Sequence, residues 1–157
     1  GHSIVVGIVG GDDDDIAEVI YRREDAGCGT VGNYSVSYTD TENSDNVTYT
    51  YNIIRPTSGT FKIKVTAVAS ALSDSLIAAI KDALIADFLG NGANARIGMC
   101  QTIYASRFYS VVQSVTTVPI RLIEIALNSG SYGQTVDIPI TTEPTMSDTD
   151  ISIVLDS

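Results

Sequence analysis

Apolar and polar residues alternate most cleanly between positions 34 and 53. Tyr34, Val36 and Tyr38 alternate with Ser35, Ser37 and Thr39, and Val47, Tyr49, Tyr51 and Ile53 alternate with Thr48, Thr50 and Asn52. A period of two places each set on one face of a strand. The polar, turn-rich residues 40–46 separate the two runs. The pattern predicts a β-hairpin with one apolar, tyrosine-bearing face and one hydroxyl face. Facing tyrosine pairs add ~0.2–1 kcal/mol each. Arg55-Pro56 closes the second strand, because proline cannot donate to a central ladder. A boundary between two lobes is expected there.

The other patterns are shorter. Residues 4–9 form a continuous apolar run, predicting a strand buried on both faces, which Gly10-Gly11 ends. Ile16, Val19, Ile20 and Arg23 follow at helical spacing, behind four aspartates suited to a helix N-terminus. Gly27, Gly29 and Gly32 then mark a loop. Phe61, Ile63 and Val65 predict another strand. Ser73 caps a predicted helix running to Leu89, with Leu76, Ile77, Ile80, Leu84 and Phe88 inward and Gly90 just past its end. Asn91 to Asn94 connect it to a second helix suggested by Cys100, Ile103, Tyr104 and Phe108. Residues 115–127 read as a long strand whose apolar phase shifts between Leu122 and Ile123, by a bulge or by cover on both faces. Val136, Ile138 and Ile140 around Pro139 point to an edge strand, and Ile151, Ile153 and Leu155 to the last one. The expected fold is α+β, in the order β-α-β-β-β-α-α-β-β-β, with mixed and antiparallel sheets and three helices packed on them. Residues 4–56 form one expected lobe and 57–157 a second, or the two make one compact unit. No repeat of 20–50 residues is visible.

Composition narrows the function. Nine Lys plus Arg stand against nineteen Asp plus Glu, a net charge of −10. Nucleic acid is therefore not an expected partner, since phosphate neutralisation needs clustered cations. No apolar stretch reaches the roughly 18 residues of a membrane span; the nearest, 76–89, contains Lys81, Asp82 and Asp87. Gly1-His2-Ser3 reads as the remnant of a cleaved tag and is set aside. The run 4–9 lacks a basic leader, so the chain reads as soluble and not itself secreted. Cys28 and Cys100 lie too far apart for a local metal or redox motif and are expected as buried free thiols.

Candidate chemistry is sparse. His2 is the one histidine, which removes the usual proton shuttle of Ser-His-Asp or Cys-His catalysis and most zinc geometries. Gly7, Gly10 and Gly11 lie between a strand and a helix, but their spacing matches neither G-x-G-x-x-G nor a P-loop. Asp12, Asp13, Asp14 and Asp15 occupy the helix start where a phosphate would sit, and would repel it. Those aspartates, and the hairpin loop with Asp40, Glu42, Asp45 and Asn46, are candidate cation ligands; a helix cap and a solvated turn are the plainer readings. Tyr34, Tyr38, Tyr49 and Tyr51 make either a binding platform or the covered side of a sheet. Arg22-Arg23 reads as a helix face. A hydrolase using paired acids would require two close carboxylates in a cleft, one with a raised pKa. No catalytic, cofactor or metal residues, and no enzyme activity, are expected.

One resemblance adds to this. The run Asp14-Asp15-Ile16-Ala17-Glu18-Val19-Ile20-Tyr21, then Asp25-Ala26-Gly27-Cys28-Gly29-Thr30-Val31-Gly32-Asn33, then Tyr34 to Asp40 through the second strand into Arg55-Pro56, resembles the C-terminal half of the baseplate J-like proteins of contractile-tailed phages. The likeness is one of order and spacing over residues 4–157, weakest after Gly130, and it lacks the family's N-terminal region. It implies a fragment of a baseplate wedge component, a structural part of the tail baseplate of a phage or prophage, or of a related contractile injection system. It further implies assembly in the bacterial host cytoplasm, other tail and baseplate proteins as partners, and homo-oligomers in the finished baseplate. The alternative is a binding module of an adhesin or receptor-binding tail appendage, using the tyrosine face.

Overall fold

A computed structural model describes residues 2–24, 28–42 and 45–156. The fold is α+β; the described residues form three helices and ten strands in mixed and antiparallel sheets, 24% of them helical and 39% in strands. The chain divides into two compact units, Gly1–Thr57 and Ser58–Ser157.

In the first unit, β1 (Ser3–Val5) leads to α1 (Asp13–Arg23), β2 (Gly29–Val31), β3 (Tyr34–Asp40) and β4 (Val47–Ile53). The hairpin has the register its alternation predicts: Tyr34 faces Ile53, Val36 faces Tyr51 and Tyr38 faces Tyr49. Its apolar face lies under α1, in a core of Ala17, Val36, Tyr51 and Ile53 with Ile16, Ile20 and Tyr21 packed against it. Asp12 caps α1 by accepting from the backbone N–H groups of Asp14 (3.0 Å) and Asp15 (3.4 Å).

Three expectations fail in this unit. The run 4–9 is not a strand buried on both faces: only Ser3–Val5 joins a ladder, parallel to β2, and Ile4 and Val5 are exposed. Two three-residue strands cannot wrap each other, and the chain leaves the ladder before Gly7 bridges to Ile54. Val19 does not face inward with Ile16 and Ile20; the covered stripe of α1 is centred on Ala17, which turns Val19 out to 55% exposure. The glycine-marked loop contains β2, which its glycines concealed; residues 25–27 of that loop lie outside the described residues.

In the second unit, β5 (Thr57–Ala67) precedes α2 (Asp74–Phe88), β6 (Gln101–Tyr104), α3 (Arg107–Gln113), β7 (Ile120–Leu127), β8 (Thr135–Ile138), β9 (Thr142–Thr145) and β10 (Ile151–Leu155). The main sheet runs β10-β5-β7, with β9 also on β5; β10 is parallel to β5 and β7 antiparallel. A separate antiparallel pair joins β6 to β8. The core gathers Phe61, Phe88 and Phe108, with Phe61 ring centroids 5.7 Å from Phe88 and 6.1 Å from Phe108, among the aliphatic faces of β5, β7 and α2. Ser73 caps α2 by accepting from the Leu76 N–H, and Gly90 takes the left-handed φ of +79° just past the helix end.

Here too the order differs from expectation. The predicted helix through Cys100, Ile103, Tyr104 and Phe108 is split. Cys100 sits at φ +55°, a strand follows with Ile103 buried and Tyr104 exposed, and the helix begins only at Arg107. An apolar spacing read as helical belongs to two elements joined at a turn. The long strand 115–127 starts at Ile120, and its irregularity falls where Arg121 is skipped between Leu122 and Ile120, not at Ile123. β8 stops before Pro139, and β9 was not foreseen. The observed order is β-α-β-β-β-β-α-β-α-β-β-β-β.

Candidate functional site

The densest polar constellation of the first unit surrounds Arg55. Its guanidinium donates to the carbonyls of Gly10 and Gly11 (3.4 Å for the latter) and pairs with Asp13 Oδ1. Tyr34 Oη donates to the other Asp13 oxygen at 2.6 Å, and the Arg55 guanidinium lies 5.5 Å from the Tyr34 ring centroid. Asn33 then ties the Arg55 backbone from both sides, its Oδ1 accepting from the N–H (2.9 Å) and its Nδ2 donating to the carbonyl (3.3 Å). The planar fork of arginine serves several acceptors at once. The Tyr34 hydroxyl and then Arg55 hold the Asp13 carboxyl below its usual range, and the same hydrogen bond raises the Tyr34 phenol. Beside it, Gly32 passes so close to β4 that an added Cβ would stand 2.0 Å from the Ile53 carbonyl oxygen.

The tyrosines form a second cluster. Tyr21, from α1, stacks 4.7 Å from Tyr38 and lies 4.9 Å from Tyr49, and its hydroxyl donates to buried Asp40 at 2.9 Å. That bond, more than burial, raises the Tyr21 phenol. At these centroid distances the rings touch, so nothing inserts between them. Tyr51 is buried; burial, then the neighbouring Glu24 carboxylate, pushes its phenol up to about 12, and its hydroxyl oxygen makes no hydrogen bond among the described residues. The platform is thus mostly the covered side of the sheet, with Tyr34 and Tyr49 partly exposed at 42% and 38%. The hydroxyl face is open and zipped across the strands by Ser35–Asn52 (2.8 Å), Ser37–Thr50 (3.1 Å) and Thr39–Thr48 (2.9 Å).

The candidate cation ligands are drawn apart. Asp12 is a cap, Asp13 is held by Arg55 and Tyr34, Asp14 and Asp15 are exposed on the first turn, and Asp40 is buried, accepting from Tyr21 and the Glu42 N–H. Residues 43–44 of the hairpin loop lie outside the described residues. Among the described residues no three His, Cys, Asp or Glu side chains converge to hold a metal ion. Gly7 bridges to Ile54, and Gly10 and Gly11 offer carbonyls, not amides, to Arg55. Cys28 is half-buried and Cys100 exposed, so the expectation of two buried thiols fails: each sits in a loop beside a strand, outside either core. Arg22 pairs with Glu18 one turn earlier on α1.

In the second unit an open cleft of 360 Å³ lies between α2, the loop after it and α3, lined by Ala83, Ala86, Asn94, Ser110 and Val111. Asp87 at its floor is 2% exposed and is occupied by Arg107 Nε (2.7 Å) and Asn94 Nδ2 (2.7 Å). Arg107 also donates to the carbonyls of Asp87 (3.0 Å) and Ala95 (2.7 Å). From sequence, Asp87 stands only as a charge interrupting the apolar run 76–89, and Arg107 is not named. The signal was present: Asp87 follows Ile80 and Leu84 at helical spacing, so it falls on the buried stripe of α2. No protein-family model and no curated protein matches the chain in sequence. No helix among the described residues is long and apolar enough to cross a membrane.

Proposed function

We propose that the chain is a structural component of a contractile-tail baseplate, a baseplate J-like wedge fragment that works through shape and protein–protein contact in the virion. The reading rests on the resemblance of its strand-helix, glycine-rich turn, hairpin and Arg-Pro order. One observation supports it: Arg55 of the Arg-Pro pair is braced to Gly10, Gly11 and Asp13 at the start of the helix and lies over Tyr34 at the start of the hairpin. A wedge part must keep its surfaces in register, and braces of this kind hold them. The net charge of −10 keeps free subunits soluble and steers them toward basic partners. Cross-linking mass spectrometry on tails purified from the host that carries the gene tests the proposal. Peptides of this chain linked to other baseplate proteins are the expected result; tails that lack the chain would end the reading.

A second reading, a binding module of a receptor-binding appendage, draws on the partial exposure of Tyr34 and Tyr49. It predicts glycan binding that Tyr49→Ala abolishes; a glycan array silent for the unmodified protein removes it.

A further inference from the structure

One face of α1 is unpartnered and carries its own complement. Val19 stands at its centre, 55% exposed on an eleven-residue helix. Beside it a shallow apolar groove of 180 Å³ is lined by Ile4, Val6, Val19 and Ile20, with Arg23 and Glu24 at the rim. Ile4 is itself 44% exposed, on a two-stranded parallel ladder, whereas parallel strands ordinarily have both faces covered. Asp15 lies one turn before Val19 and Arg23 one turn after it, on the same face. Among the described residues neither Asp15 nor Arg23 takes part in an ion pair.

We propose that this face docks on the same face of a second copy of the chain, the two α1 helices antiparallel about a two-fold axis at Val19. In that geometry each Asp15 meets the Arg23 of the other copy, because the two charges are placed symmetrically four residues either side of the axis. The two Val19 side chains meet at the centre, and each groove receives apolar surface from the other copy. A two-fold contact uses one patch twice, so the patch must be self-complementary, and opposite charges equidistant from an apolar centre satisfy that condition. A parallel pairing would set Asp15 against Asp15 and Arg23 against Arg23. The patch is small beside the ~800 Å² per partner of a standard interface, so the pairing is weak in free solution and strengthens where an assembly holds copies close together. The inference stands independently of the baseplate reading.

Sedimentation equilibrium of the full chain over a range reaching about 1 mM tests it. The expected result is a concentration-dependent rise of the average mass toward twice that of one chain. Val19→Glu, Asp15→Arg and Arg23→Asp each weaken the association by about tenfold or more. These three positions are on the helix surface, and a thermal melt of each variant checks that it is folded. A second arm mixes Asp15→Arg with Arg23→Asp. Each is repelled by its own copies, but an antiparallel mixed pair regains two opposite-charge contacts, so dimer returns on mixing. A chain that stays monomeric throughout the range overturns the proposal, as does association that Val19→Glu leaves unchanged. Failure of the two charge variants to associate on mixing overturns the antiparallel geometry.

Discussion

The two units are held together by different chemistry. Among the described residues the first has a core of four buried apolar side chains, and it surrounds them with side-chain ties: Arg55 to Asp13, Tyr34 to Asp13, Tyr21 to Asp40, and Asn33 on both sides of the Arg55 backbone. It carries ten acidic and three basic residues, so −7 of the net −10 falls on it. The second gathers three phenylalanines and the aliphatic faces of β5, β7 and α2, and buries one ion pair, Asp87–Arg107. Burial of apolar area carries no titratable or screened charge, while exposed ionic ties respond to both pH and ionic strength. The first unit should therefore yield to conditions, and the second to loss of volume.

The largest effect is expected from Phe61→Ala, which empties the centre of the second core and should cost about 3–5 kcal/mol. Hydrogen exchange should accelerate in β5, β7 and α2 and stay unchanged in β3 and β4; equal acceleration in both units would break the comparison. Asp87→Ala comes next, at about 3 kcal/mol by urea unfolding, because it leaves the Arg107 charge buried without its partner. Arg55→Ala should cost the first unit about 1 kcal/mol, discounted because Asp13 is 45% exposed. Arg55→Lys should recover little of it, since an ammonium cannot reproduce the fork.

How much of this was legible follows the same division. The hairpin register could be read to the residue because alternation fixes which face is buried, and a one-residue slip would expose it all. The caps at Ser73 and Asp12 and the glycine after α2 were equally local signals. What failed depended on distant partners. The ladder of β1 with β2 is set by tertiary pairing of three-residue segments, and β6 is a strand because β8 lies beside it. The polar ties were legible only as residue types: Arg55-Pro56 was read as the end of a strand, and nothing near it in sequence says that its guanidinium crosses to Gly10 and Asp13. Asp87 was the missed signal, a charge at a buried helical position that requires a partner such as Arg107.

Two smaller effects sharpen the contrast through pH. The Asp13 carboxyl titrates below its ordinary 3.8 in the folded protein. Its contribution is therefore present above that value and is lost as pH falls through the lower folded one. Asp13→Asn should flatten the acid limb of a stability–pH curve; an unchanged limb would place the acid sensitivity elsewhere. Tyr51 acts at the other end. Its phenol is raised from 10 to about 12, so stability is full below 10 and declines as pH rises toward 12. Tyr51→Phe should remove that alkaline decline and leave stability near neutral pH within about 0.5 kcal/mol, since the buried hydroxyl it deletes makes no hydrogen bond among the described residues.

The proposal that the chain is a load-carrying part of a tail, and not a catalyst, is tested most directly by deleting its gene and imaging the particles that form by electron microscopy. The account predicts tubes and sheaths without an assembled baseplate, restored when the gene is supplied again. Normal, contractile tails with complete baseplates in the deletion strain would contradict it.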